Sequence, residues 1–218
     1  MMYIKPNINT LLFIVIASIS ACHAPSKTAD PLIFKYFRAT SPGDTMHFEI
    51  AFDAPTQGDT IPNALFFKTI PTALLQEIDY LVDSSDSVVL GRQRFSLNDS
   101  ITACWVDLRY SWFQHQSFFL YNNKRQRFTD RVTLAEWYGG DGGQLLTGSW
   151  VFDYDGDGQK DMVRREIQHS MMVQGDTVLE RNEQAATLLL WKNGHFMETP
   201  MKDTAAVIKR YPIKGVWE

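Results

Sequence analysis

The sequence predicts a mainly β domain: an antiparallel meander of hairpins, partial-propeller or sandwich-like in form, with one short packed helix near residues 71–82. Three observations lead there. Apolar and polar residues alternate with a period of two through Thr102–Trp112 and again through Val163–Val173, as they do along a strand with one covered face. Turn signals separate these runs, with Asn193-Gly194 the strongest hairpin dipeptide in the chain. Helical spacing occurs convincingly once, at Leu74, Leu75, Ile78, Leu81 and Val82 behind Pro71.

Residues 1–22 are set aside before the fold is considered. Lys5 gives a basic start, Leu11 to Ile19 is a short apolar run, and Ile19-Ser20-Ala21-Cys22 follows; the run is too short for a permanent membrane span. Those last four residues resemble a bacterial lipobox, which implies lipid modification at Cys22. The small, polar stretch 23–30 then reads as a tether, and 31–218 as one β-rich domain, since 218 residues at 44% hydrophobic content leave little room for two. By resemblance to bacterial sorting signals, the absence of acidic residues just after Cys22 implies an outer membrane anchor facing the periplasm, with surface exposure left open. The net charge of -4 excludes a nucleic-acid partner that follows the phosphate backbone. Cys104 is the one cysteine after Cys22, so no disulfide staples an exported chain, and it reads as a small buried apolar residue.

Leu32–Phe37 and Met46–Phe52 alternate as strands around Ser41-Pro42-Gly43-Asp44. After the helix, Cys104, Val106, Leu108, Tyr110 and Trp112 share one buried face, while Trp105, Asp107, Arg109 and Ser111 make the other face mixed. Ser117–Tyr121 and Phe128–Leu134 form the next hairpin through Asn122-Asn123-Lys124-Arg125. Trp137-Tyr138 precedes the glycine cluster Gly139-Gly140-Asp141-Gly142-Gly143. That cluster is either a flexible connection between strands or a second loop presenting Trp137 and Tyr138 to a ligand. Gln174-Gly175-Asp176-Thr177 turns the strand ending at Val173, and Thr187–Trp191 pairs with His195–Glu198.

The chemistry concentrates at Asp153-Tyr154-Asp155-Gly156-Asp157-Gly158-Gln159-Lys160-Asp161. Four carboxylates within nine residues, bent by two glycines and flanked by strands Leu145–Phe152 and Met162–Val173, suit a hard cation with several oxygen ligands, calcium better than magnesium. Arg164 stands where an EF-hand needs its bidentate Glu. The loop resembles the D-x-D-x-D-G-x-x-D hairpin of integrin-type FG-GAP and VCBS repeats. That resemblance implies calcium held by the side chains of Asp153, Asp155, Asp157 and Asp161 and the backbone carbonyl of Gln159, with Gly158 making the sharp turn. A single copy excludes a full propeller of such repeats.

His47, His115, His169 and His195 show no metal spacing, and no G-x-S-x-G elbow occurs. Asp107, Glu136 and Glu166 are carboxylates that sequence cannot pair. The expectation is therefore a non-catalytic, membrane-anchored, calcium-stabilised lipoprotein of the cell envelope, with a glycan or another envelope protein as ligand. The alternatives are a periplasmic inhibitor of a peptidoglycan-cleaving enzyme and a carboxylate-dependent hydrolase. Asp-Ser/Thr-apolar triplets at Thr45, Thr60, Ser87, Ser100, Thr177 and Thr204 resemble an O-glycosylation signal of one phylum of Gram-negative bacteria, and equally suit turns that lead into strands.

Overall fold

Long strands carry most of the chain, as the period-two runs require. A computed structural model describes residues 30–50, 57–78, 86–140 and 142–214; Cys22, the leader and nearly all of the tether lie outside them. A 3-10 helix, Leu32–Tyr36, precedes β1 (Arg38–Ala39), β2 (Met46–Phe48), β3 (Asp59–Thr60), α1 (Asn63–Thr69) and α2 (Thr72–Gln76). The main ladder follows: β4 (Val88–Asn98), β5 (Ile101–Tyr110), β6 (Phe113–Asn122), β7 (Arg127–Gly140), β8 (Gly143–Phe152), β9 (Asp161–Gln174), β10 (Thr177–Lys192) and β11 (His195–Thr199). Helix α3 (Thr204–Arg210) comes last.

The eleven strands among the described residues belong to one open mixed sheet, in the order β1-β4-β5-β6-β7-β8-β9-β10-β11, with β3 also on β4 and β2 on β8. From β4 to β11 each strand runs antiparallel to the next, and only β1 is parallel to its neighbour. The expected meander of hairpins is present. Asn193 (φ 55°) and Gly194 (φ 86°) make the tight left-handed turn that joins β10 to β11. The described residues from Pro31 onward gather into one compact unit.

Three local expectations need correction. Leu32–Tyr36 is helical rather than extended: Ile33, Phe34 and Phe37 are the buried residues, a three-to-four spacing that the alternation of Leu32, Phe34 and Tyr36 concealed. The expected helix at 71–82 is shorter, ending at Gln76 with one further turn from Ile78 N–H to the Leu75 carbonyl, and positions 79–82 lie outside the described residues. The preceding helix α1 was not expected. Pro71 separates the two, because the residue before a proline is driven to extended backbone, and Ile70 has ψ 129°. Finally, Trp112 is not on a buried strand face. Tyr110 pairs with Phe113, so Ser111 (φ 51°) and Trp112 form a two-residue turn, and the indole is 57% exposed.

Strands β5 and β6 carry apolar contacts on both sides around Ala103–Cys104 and Phe118–Phe119, while the second face of β5 is mixed as expected, with Trp105 and Arg109 half-buried beside buried Asp107. Cys104, Val106, Leu108 and Phe119 pack with Ile33, Phe66 and Ile70 of the helical segments. Ala103, Phe118 and Leu120 pack on the other side with Val151, Met162, Leu189 and Trp191. That second core exists because the sheet folds over. β7 and β8 pair only between Glu136–Gly140 and Gly143–Thr147; beyond that, β7 stays with β6 while β8 follows β2 and β9.

Arg165 lies among the apolar residues of β9 and is 1% exposed. It donates to the carbonyls of Ala185 (2.9 Å), Ile208 (2.6 Å) and Tyr211 (2.7 Å) and to Gln184 Oε1 (2.9 Å). The charge thus satisfies the carbonyl end of α3 and fixes that helix to the sheet.

Candidate functional site

The Asp-rich loop spans residues 153–160 between the paired residues Phe152 of β8 and Asp161 of β9. Its shape follows from its own side chains. Asp153 accepts hydrogen bonds from Gly156 N–H (2.8 Å) and Gly158 N–H (2.9 Å), and Asp157 accepts from Gln159 N–H (2.8 Å). Gly156 and Gly158 both have φ +83°, a conformation that side-chain-bearing residues avoid.

Asp161 differs from the other carboxylates because it is 2% exposed. One oxygen accepts Trp191 N–H of β10 (2.7 Å) and the other Tyr154 N–H of the loop (3.0 Å). Burial pushes its carboxyl above the usual range, with the charge of Asp155 adding to the effect and the backbone donors opposing it. Ligand oxygens of Asp153, Asp155 and Asp161 all lie within 4.8 Å of one another. Asp157 stands outside this group and receives Gln159 Nε2 at 3.1 Å. Lys160, the loop's basic residue, donates to the Asp44 carbonyl (2.7 Å). An all-oxygen donor set on a glycine-bent loop fits a hard divalent cation, and the raised carboxyl of Asp161 is the group such an ion would relieve.

A second constellation escaped the sequence reading. His115 Nδ1 lies 2.6 Å from Glu136 Oε2, and His115 Nε2 lies 2.6 Å from Ser117 Oγ. Arg131 Nη1 donates to Ser117 Oγ (3.0 Å) and Thr133 Oγ1 (2.9 Å), while Nη2 donates to the Glu77 carbonyl (3.1 Å). The protons follow in one direction: Arg131 to Ser117, Ser117 to His115 Nε2, and His115 Nδ1–H to Glu136. Burial, the largest influence, lowers the His115 pKa, with Glu136 opposing and Arg131 reinforcing. That lowering favours the neutral imidazole. This is the connectivity of a Ser-His-Glu triad, but His115 is 1% exposed and Ser117 fully buried, so Ser117 Oγ meets no substrate in this conformation.

Asp107, also buried, is held by Arg109 (3.1 Å) and Arg92 (3.7 Å). Glu166 stands opposite Thr147, which stands opposite Glu136, so these two carboxylates share one row of the sheet. Trp137 and Tyr138 are half-buried and project from opposite faces, Trp137 onto Leu146 and Ile167 and Tyr138 toward the helix-covered core. The glycine cluster joins β7 to β8, with Gly140 paired to Gly143. Cys104 is fully buried, which pushes its thiol pKa up. Of the Asp-Ser/Thr positions, Thr45, Thr60, Thr177 and Thr204 are exposed, Ser100 is half-buried and Ser87 is buried.

Compared with family models, curated proteins and solved structures, the chain matches none of them.

Proposed function

We propose that this chain is a calcium-stabilised, non-catalytic binding lipoprotein of the cell envelope. It is anchored through Cys22 to the periplasm-facing side of the outer membrane, and its ligand is a glycan or another envelope protein. The observation that carries the reading is the position of the oxygen cluster. Asp161 bonds the backbone of both the loop and β10, so an ion beside it would join β8, β9 and β10 rather than face a substrate. The burial of Ser117 and His115 supports a structural role for the triad-like network.

The direct test is affinity capture from solubilised envelope with the full-length protein, in calcium and in chelator. Selective, calcium-dependent enrichment of one envelope component is expected. Identical recovery under both conditions counts against the reading. The anchor has its own test, mass spectrometry of the mature N-terminus. A diacylglyceryl-modified Cys22 as the first residue is expected; a mature chain beginning elsewhere, or an unmodified Cys22 thiol, removes the lipoprotein assignment.

A further inference from the structure

A shallow cleft of about 310 Å³ lies where the ends of β7, β8 and β9 meet the turn between β5 and β6. Directly opposed residues of antiparallel strands project from the same face. Tyr138, Leu145 and Gln168 therefore form one row of the cleft, and Gly140, Gly143 and Ser170 the next. Trp112 stands at the rim, 57% exposed.

The paired glycines have no conformational reason to be glycine. Neither has a positive φ. Among the described residues beyond its chain neighbours, a Cβ at Gly140 would meet no atom within 4 Å, and one at Gly143 would make only ordinary contact at 3.5 Å with the His169 carbonyl. Their effect is to leave bare backbone beside an exposed indole. Among the described residues the lining contains no Lys, Arg, Asp or Glu, and its one histidine, His169, is paired with Glu180 at 2.8 Å. A charged ligand would find no countercharge among these residues.

We infer that this cleft binds a neutral saccharide, an assignment that deepens, and rests on, the envelope-binding reading. An aromatic ring offers a flat apolar surface to the C–H face of a sugar, while neutral side-chain groups fix its hydroxyls; Trp112 and Tyr138 supply the first, Gln168 and Ser170 the second. The volume falls at the lower end of the roughly 300 to 1,000 Å³ usual for ligand clefts, which suits a short stretch of glycan.

The test is calorimetric titration of the detergent-solubilised full chain, in calcium, with chitotriose and with maltotriose. Saturable binding of one of them is expected, weakened roughly tenfold or more by Trp112→Ala and by Gly140→Leu. Gly140→Leu fills open space and Trp112 is largely exposed, so both variants should keep the wild-type melting temperature. Absence of binding to either trisaccharide, or binding undiminished in both variants, overturns the assignment. Envelope capture that persists in Gly140→Leu without any saccharide binding refutes the cleft and leaves the broader reading standing. Saccharide binding without calcium-dependent capture does the reverse.

Discussion

Chelation of calcium is expected to lower the melting temperature of the full-length protein by roughly 5 to 11 °C. An ion that binds only the folded state, at a hundred times its dissociation constant, contributes about 2.7 kcal/mol. For a domain of this size each kcal/mol moves the midpoint by roughly 2 to 4 °C. Asp155→Ala gives the sharper test because its sign should reverse with conditions. In calcium it removes a ligand oxygen and lowers the melting temperature. In chelator it removes the like charge that pushes up the Asp161 carboxyl, so the variant should be as stable as the parent or more so. Asp157→Ala should cost less in calcium than Asp155→Ala, since Asp157 lies outside the group of converging oxygens. Identical wild-type melts in calcium and in chelator would mean that the loop is an acidic turn and nothing more.

His115→Ala is expected to destabilise the domain by on the order of 3 kcal/mol, the combined effect of a buried cavity and a buried carboxylate left without its donor. Glu136→Gln, which still offers an acceptor to Nδ1–H, should cost less. The pH dependence identifies the proton involved. Burial lowers the His115 pKa in the folded protein, so the unfolded chain binds a proton that the folded chain does not. Stability from this group is complete above the unfolded value of about 6.5 and is lost as pH falls below it toward the lowered folded value. The limiting slope is about 1.4 kcal/mol per pH unit. The charged groups that act on the imidazole are Glu136, Arg131 and Asp107. Urea unfolding between pH 5 and pH 8 should show this slope in the parent and not in His115→Ala. An equal slope in both proteins would show that His115 takes up its proton in the folded state as readily as in the unfolded chain.

Sequence alone determined the features whose causes lie within a few residues of one another. Alternation and turn chemistry were enough to place β8, the Asp-rich loop and β9 in succession, along with the turns at Gln174–Thr177 and Asn193–Gly194. The convergence of Asp153, Asp155 and Asp161 also follows from local spacing and glycine bends. Only the tertiary structure set Asp161 apart, because its burial depends on Trp191 thirty residues away. The His115 network required more than proximity. A register shift between Gln116 and Ser117 brings Thr133 opposite Ser117 while Glu136 stays opposite His115. Arg131 and Thr133 thereby join Glu136 on one face, although strict alternation along β7 would place them on the other. Trp112 is exposed for a related reason: the chain reverses at Ser111, where the sequence continues to alternate as though the strand went on. Side chains in a sheet alternate with a period of two, so a one-residue shift in pairing exchanges the faces, and pairing is settled by strands distant in sequence.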